Sequence, residues 1–414
     1  MKTKLIAYGL GAMFLATSCS NDEIESVNNG NEITFNTQIN RATSTTTDNL
    51  KEFQVWAYGT NFDSKMFIDG KIASRDGETN YFKFDSYIFW PSDVPAFNFW
   101  ALSPANLAGV TVNTGTQQIE NFTPDADVTK QIDLVGAYTV AQRSAGTSVK
   151  LVFNHTLSQI EVKAKAGVDD DESRTVKIKG AWIMNVRKSG TLKFDLTQTD
   201  LINHLNWTAG NVKTFYGVEF NDAKTLSSTA TNLLSETDGS NTLKTNLMVV
   251  PQQLDTWNID DSSDKTTNQN DGAYIILLCR IEATHPGSLH NGSTDESVQP
   301  GGTAENPTHT HQLFPYTGTF DGEQYGYTCV PINTKWEPGK KYVYTLSFVG
   351  KASGAGIYPP ADAATTLNLG NSNYISTIPE GKNVGDPVLD NPIIFDVTVD
   401  PWDDEWNNGN VDMK

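Results

Sequence analysis

Two groups of side chains in this sequence have the types and spacing to do chemistry. Near the start, Cys19 follows the small residues Ala16, Thr17 and Ser18. A thiol at this place can take a thioether-linked diacylglycerol, and small residues before it fit the protease that removes a signal peptide. In the second half, four of the six histidines lie between residues 285 and 322, and imidazole is a common metal ligand. The sequence therefore offers one lipidation site and one histidine-rich segment.

The residues before Cys19 have the pattern of an export signal. Lys2 and Lys4 precede an apolar run over residues 5–16, which is shorter than the ~20 residues that span a bilayer. A basic head, an apolar stretch and small residues are typical of a signal peptide. With Cys19 the pattern resembles a lipobox, so we predict a signal peptide over 1–18 and acyl chains such as palmitate on Cys19. Two or three such chains anchor firmly, because each buried CH₂ contributes roughly 0.8 kcal/mol. An ordinary cleaved signal with an incidental cysteine is the alternative.

Polar segments flank the rest of the chain. Residues 19–31 are acidic and rich in Asn, so we predict a tether that does not fold. Residues 403–414 form a polar tail in which only Trp406, Val411 and Met413 are apolar.

The overall charge excludes one class of partner. Removing residues 1–18 leaves 28 basic and 49 acidic residues, a net charge of −21. Nucleic acids and anionic membranes attract a basic face, so we expect neither as a partner. No other apolar run approaches the length of a membrane span.

Hydrophobic alternation dominates the sequence from residue 32 onward. Ile33, Phe35, Thr37 and Ile39 alternate with polar residues, which predicts a half-buried strand. Similar strand-like segments recur at 53–57, 81–90, 96–102, 132–141, 149–165, 176–186, 246–250, 273–281, 327–332, 342–348 and 393–399. Since no amphipathic helix longer than about ten residues stands out, many short strands predict an all-β protein of sandwich type.

Polar stretches suggest where this β-rich chain divides. Residues 167–173 contain four consecutive acidic residues, 169–172; they fit either a hairpin turn or a domain boundary, and we predict the boundary. The domains are then 32–168 and 174–402, with a long loop at 285–322 and a second loop-like stretch at 350–373. We place Ile33, Phe35, Phe97, Phe99, Leu151, Phe153 and Ile160 in the first core, and Val249, Ile275, Leu277, Leu346 and Phe348 in the second.

The remaining candidates for chemistry are weak. His309 and His311 could bind a metal, but flexible histidine-containing loops more often bind nothing, so we predict no metal. The acidic segments 169–172 and 260–271 lack the ligand spacing of an EF-hand, and no hydrolase, zinc-protease or nucleotide-binding motif occurs. His155 lies on an alternating strand and is expected to be structural. Cys279 and Cys329 could pair in an oxidising compartment or remain buried thiols. We expect no enzyme and no cofactor.

Several segments together resemble the fimbrillin family of Bacteroidota. They are residues 33–35 (ITF) soon after the lipobox, Arg41, residues 53–57 (FQVWA), 151–162 (LVFNHTLSQIEV), 336–342 (WEPGKKY) and 397–402 (VTVDPW). The resemblance covers about 32–402. It implies a pilus subunit or surface adhesin with two tandem β-sandwiches of Greek-key, transthyretin-like type. The acidic stretch after Cys19 also resembles the surface-export signal of lipoproteins from this phylum.

The resemblance also implies how the protein matures. Family members reach the outer membrane as lipoproteins, and a trypsin-like protease then cuts after an arginine in the loop beyond the first strand. The severed strand leaves, and a strand from a neighbouring subunit fills the groove by β-augmentation. Here the matching position is Arg41, followed by Ala42, and Arg41 is the only basic residue between Glu32 and Leu50.

The resemblance points to two strands for exchange. Ile33, Phe35 and Ile39 belong to the strand that would leave, and the last strand carries Ile393, Phe395, Val397 and Val399. Because the tail 403–414 is a poor donor, a tip or accessory position is expected. The implied partners are other pilin subunits, outer-membrane lipid through Cys19, and a host or bacterial surface receptor. The alternative is a non-polymerising surface lipoprotein that binds glycan or host protein.

Overall fold

The computed structural model describes residues 32–401, apart from 40–49, 60–65, 78, 80, 146–147, 167–172, 195–203, 235–236, 239–240, 243–245, 288–297, 349–353 and 390–392. Cys19, Arg41, Ala42 and the tail 403–414 therefore lie outside the described residues.

Strands make up most of the described chain, which confirms the all-β prediction. The first nine are β1 (Thr34–Ile39), β2 (Glu52–Gly59), β3 (Met66–Arg75), β4 (Tyr81–Phe84), β5 (Ala96–Ser103), β6 (Thr111–Asn113), β7 (Gln118–Phe122), β8 (Val135–Gln142) and β9 (Ser148–His155). The next ten are β10 (Ser158–Ala166), β11 (Ser173–Arg187), β12 (Gly190–Phe194), β13 (Leu205–Ala209), β14 (Lys213–Thr225), β15 (Thr231–Asn232), β16 (Thr237–Asp238), β17 (Asn241–Thr242), β18 (Leu247–Val249) and β19 (Gln252–Gln253). The last eight are β20 (Tyr274–Pro286), β21 (Val298–Gly302), β22 (Pro307–Phe314), β23 (Tyr325–Pro331), β24 (Lys335–Trp336), β25 (Lys340–Phe348), β26 (Tyr374–Ile375) and β27 (Ile394–Pro401).

Helices are short throughout the described residues. They are α1 (Ser262–Thr267), α2 (Ala363–Leu367) and two 3₁₀ turns at Val128–Lys130 and Arg143–Ala145. No helix in these ranges is both long and apolar enough to cross a membrane.

Seven of the first nine strands form a sheet that closes on itself. Their order is β1-β4-β3-β2-β5-β8-β9, a closed barrel. Inward-facing side chains at alternate positions fill it with aromatic rings, among them Phe35, Phe53, Phe99 and Phe153. The β-sandwich predicted for residues 32–168 is not confirmed here, because β1 pairs with both β4 and β9 and so joins the two edges of the sheet.

Two further sheets pack face to face in the second half. One has the order β15-β10-β25-β27 with β18 beside β10, and the other has the order β14-β11-β20-β22-β21 with β23 and β26 attached. Their shared core contains all five residues predicted for the second core. The other face of the second sheet is covered by α2 and its neighbours, including Ile357 and Leu367. The stretch 350–373, predicted as a loop, thus contributes buried side chains.

A small sheet joins the two halves. It has the order β13-β12-β7-β6, so strands from both predicted domains pair with each other. Leu192 and Phe194 of β12 pack against Trp100 on the outside of the barrel, with Trp100 and Phe194 rings 5.3 Å apart. The division into 32–168 and 174–402 stays a prediction, and this sheet crosses it.

The alternating run at 149–165 is two strands rather than one. β9 belongs to the barrel and β10 to the five-stranded sheet, so Ile160 packs in the second core and its predicted place in the first core is wrong. The polypeptide changes sheets at Thr156 and Leu157, where the Thr156 N–H donates to the Leu134 carbonyl at 2.9 Å.

The segment 285–322 is also more ordered than predicted. It contains β21 and β22, which form a hairpin beside β20. Arg280, which is fully buried, donates from Nη1 to the carbonyl of Gln324 at 3.2 Å. Its guanidinium lies over the Phe320 ring, 4.9 Å from the ring centre. Strands therefore occupy Val298–Gly302 and Pro307–Phe314 of the segment predicted as a loop.

Cys279 and Cys329 are free and buried. They lie on the paired strands β20 and β23, but Cys279 pairs with Gly326 and Cys329 with Ile276. Cys279 faces the core between the sheets, whereas Cys329 faces the side covered by α2. Because their side chains point to opposite faces of the sheet, the two thiols do not pair.

Candidate strand-exchange site

β1 closes the barrel by lying between β4 and β9. It pairs in parallel with β9 along six residues, from Thr34 opposite Ser148 to Ile39 opposite Phe153. On its other side it pairs antiparallel with β4, Phe35 opposite Phe82 and Asn36 opposite Tyr81. Just before it, the Ile33 N–H donates to the Ile88 carbonyl at 2.8 Å. Removing β1 would therefore open the barrel between β4 and β9.

Phe35 is the anchor of this strand. It is fully buried, and Ile33 beside it is 1 % exposed. The Phe35 ring meets Phe53, Phe84 and Phe99 edge to face, with ring centres 5.4, 5.5 and 5.9 Å apart. Such pairs add about 0.5–1.5 kcal/mol each beyond the area they bury. The barrel thus holds a fitted aromatic pocket for one side chain of β1.

The same strand carries two poorly placed polar groups. Thr34 and Thr37 are 3 % and 2 % exposed, and their hydroxyls have no hydrogen-bond partner among the described residues. A buried polar group left without a partner costs about 1–3 kcal/mol. β1 therefore combines a strong anchor with two buried hydroxyls that lower its stability in the barrel.

The last strand lies in the other half of the chain. β27 pairs antiparallel with β25 over eight residues, from Ile394 opposite Ser347 to Pro401 opposite Lys340, and it is the edge of its sheet. Ile393 is buried, Phe395 and Val397 are half-buried, and Val399 is 51 % exposed. The predicted alternation is present, but burial fades towards the C-terminal end.

Comparison with protein families assigns this chain to a family. The model of the family described as fimbrillin-like matches residues 40–357. The chain belongs to the fimbrillin-like family. No curated protein sequence matches it.

One of the similar solved structures shows a related fold at low sequence identity. A fimbrial protein from Bacteroides vulgatus ATCC 8482 has a TM-score of 0.51 and 16% identity, covering 90% of this chain and 100% of that one. A protein named for cell adhesion from Bacteroides ovatus ATCC 8483 has a TM-score of 0.39 and 14% identity, covering 77% and 92%. Another from Parabacteroides distasonis ATCC 8503 has a TM-score of 0.44 and 10% identity, covering 90% and 98%.

In this fimbrillin-like chain the predicted exchange residues form two separate groups. Ile33 and Phe35 lie in the barrel, and the backbone of Ile39 pairs with that of Phe153. Ile393, Phe395, Val397 and Val399 lie at the edge of the five-stranded sheet. Arg41 and Ala42, the predicted cleavage position, are outside the described residues, two positions beyond the end of β1.

The sequence did not single out most of the groove that receives β1. Phe53, Phe82 and Phe84 face Phe35 or its neighbours in the core, yet only their strands were predicted. The sequence signal that could have found Phe82 and Phe84 is their placement at alternate positions of one strand. In the structure both are buried, while Tyr81 and Lys83 are exposed. The sequence predicts a strand over residues 81–90, but β4 ends at Phe84.

His155 and the charged side chains of one surface hollow make hydrogen bonds and ion pairs within the protein. His155 is buried with Asp133, its Nδ1 lying 3.0 Å from Oδ1 and 2.9 Å from Oδ2. A polar hollow of about 840 Å³ is lined by Arg187, Lys213 and Asp255 among others. Asp255 Oδ2 lies 2.7 Å from Arg187 Nη2 and 2.9 Å from Lys213 Nζ, and Lys213 Nζ also lies 3.1 Å from Asp271 Oδ1. Two cations are therefore paired with two carboxylates.

Proposed function

We propose that this chain is a structural or adhesive subunit of a cell-surface fimbria. It is exported as an outer-membrane lipoprotein through Cys19 and matured by cleavage after Arg41, after which β1 leaves and a strand from another subunit enters. Membership of the fimbrillin-like family supports the fimbrial role. The observation that carries the mechanism is the position of β1, which closes the barrel just ahead of Arg41.

Strand exchange is physically reasonable between β4 and β9. The groove left by β1 has exposed backbone groups on β4 and β9 and an aromatic pocket between them. An incoming strand with apolar residues at alternate positions satisfies both. A donor without buried hydroxyls at the places of Thr34 and Thr37 would bind better than β1 itself, so exchange can be downhill.

We propose a tip or accessory position for this subunit. β27 has the alternation of a donor, but it pairs along its whole length with β25. Residues 403–414 have few apolar side chains and Gly409 interrupts them. While β27 stays paired with β25, it is not available as a donor, and the chain can still accept a strand in place of β1.

Processing is tested on material from the cell surface. We expect intact-mass measurement to find a chain that begins at Ala42, and Arg41→Gln to leave a chain that begins at Cys19. Fatty-acid labelling of the unprocessed chain should be lost in Cys19→Ala. Label that survives this substitution, or surface material of the wild type that keeps residues 19–41, would contradict the proposed maturation.

Assembly is tested with purified chain cleaved after Arg41. We expect it to take up strands from a stalk-forming pilin without polymerising by itself. If it polymerises alone and deletion of residues 403–414 abolishes this, the tail is a donor and the tip position is wrong. If cleaved chain retains β1 and takes up no strand, the non-polymerising surface lipoprotein that binds glycan or host protein becomes the better explanation.

A further inference from the structure

Three histidines meet on one face of the seven-stranded sheet. His285 lies near the end of β20 and is directly opposite His309 of β22, while His311 pairs with Ala283. Side chains that are directly opposite, or two residues apart on one strand, share a face of a sheet. The backbone register alone therefore brings the three imidazoles together.

The distances agree with the register. The ring centres of His285 and His309 are 5.4 Å apart, those of His285 and His311 5.2 Å, and those of His309 and His311 5.1 Å. His309 is 2 % exposed, and the other two are half-buried. Thr310, between the two histidines of β22, points to the opposite face, where its hydroxyl lies 3.0 Å from that of Thr284.

One ring has its tautomer set by the backbone. Nδ1 of His309 lies 3.1 Å from the carbonyl oxygen of Gly287. Because a carbonyl can only accept, Nδ1 carries the proton and Nε2 carries the lone pair. Metal-binding histidines are usually oriented in this way, by donating the other ring N–H to a carbonyl or carboxylate.

We propose that His285, His309 and His311 form a binding site for a divalent transition-metal ion, with Zn²⁺ as the natural probe. Imidazoles bound to a tetrahedral Zn²⁺ at about 2.0–2.1 Å have ring centres about 5 Å apart, which matches all three spacings. With the side chains as they stand, no group of three ligating residues in the described ranges could hold a metal ion. Binding therefore requires the His285 and His311 rings to rotate about χ2, while His309 keeps its hydrogen bond to Gly287.

The metal would tie the β21–β22 hairpin to the body of the sheet. β21 is the outermost strand and pairs only with β22 among the described strands. A metal held by β20 and β22 would cross-link them near the place where the chain leaves β20. It would bind the folded state alone, so it should raise the unfolding temperature.

The test uses tag-free chain from residue 20 onward, since a histidine tag would itself bind metal. We expect calorimetric titration and metal analysis after dialysis to give one Zn²⁺ per chain. His285→Gln and His311→Gln, at the two half-buried positions, should each weaken binding at least about tenfold. The control Thr310→Val, on the same strand but the opposite face, should bind as the wild type does.

Two results would overturn the proposal. One is the absence of saturable Zn²⁺ binding by the wild type. The other is equal binding by the wild type and both histidine variants, which would assign the metal to the surface carboxylates. Circular dichroism of each variant shows that it is folded, and His309→Ala is included as a third variant because it removes the oriented ring.

Discussion

Thr37 shows how a single side chain can loosen a strand. Its buried hydroxyl has no partner among the described residues, and the same is true of Thr34. We expect Thr37→Val to raise the free energy of unfolding by about 1 kcal/mol, because it removes the cost of burying an unpaired hydroxyl while keeping the shape. Denaturant unfolding measures this.

The matched control is Thr398→Val on β27. Thr398 is exposed, so its substitution should change stability by less than about 0.5 kcal/mol. If Thr37→Val destabilises the chain, its hydroxyl has a partner and β1 is better held than we infer. The same variant should also release β1 more slowly after cleavage.

Glu161 links the pH of the medium to the stability of the second half. It is 5 % exposed, and its carboxylate lies 3.0 Å from Lys341 Nζ and 3.1 Å from Lys163 Nζ. Burial alone would raise the pKa of Glu161, but attraction and hydrogen bonding to Lys341 and Lys163 outweigh it and hold the pKa below its ordinary value.

The sign of the pH effect follows from that lowered pKa. The ion pair contributes fully above the unfolded pKa of about 4.3, and its contribution is lost as the pH falls through the lower folded pKa. We expect wild-type stability to fall more steeply than that of Glu161→Gln below about pH 5. At pH 7 the variant should be less stable by about 3–5 kcal/mol, since Lys341 stays buried without that carboxylate. If the free energy of unfolding fell equally steeply with decreasing pH in the wild type and in Glu161→Gln, this prediction would be wrong.

Removal of β1 can be tested directly on the barrel. A chain that begins at Ala42 lacks the strand that covers Phe53, Phe84 and Phe99. Loss of Phe35 alone should cost about 3–5 kcal/mol, so we expect strong binding of a hydrophobic dye. A peptide of residues 32–41 should suppress the dye signal, whereas the same peptide with Phe35→Asp should not. Equal effects of the two peptides would mean that the aromatic pocket does not select the strand.

Individual strands were predictable from the sequence, whereas their partners were not. Alternation placed β1, β2, β5, β25 and β27 close to their observed bounds. Hydrophobic alternation could not show that residues 149–165 form two strands, because both β9 and β10 alternate. Neither Gly nor Pro marks the change of sheet at Thr156 and Leu157. Likewise, Ile33 and Phe35 were identified as buried, but their pocket is built from distant strands whose pairing no local pattern encodes.

At the scale of the whole molecule, the small four-stranded sheet couples the two halves. β7 pairs with β12, and β10 pairs with β18 and β25. Residues 32–168 expressed alone would therefore leave β7 and β10 without their partners. We expect that fragment to lack a cooperative thermal transition, while the chain from residue 32 to 414 unfolds in a single one. A well-folded fragment, judged by near-ultraviolet circular dichroism, would show that the halves are independent.

The barrel has an odd number of strands, and this has a consequence for the direction of a fibre. Six of its seven neighbour contacts are antiparallel, so β4 and β9, on either side of β1, run in opposite directions. A guest strand in that gap meets one parallel and one antiparallel neighbour whichever way it enters. The number of parallel and antiparallel neighbours therefore sets no polarity, and the fit of side chains such as the one in the Phe35 pocket contributes to which end of a donor goes in first.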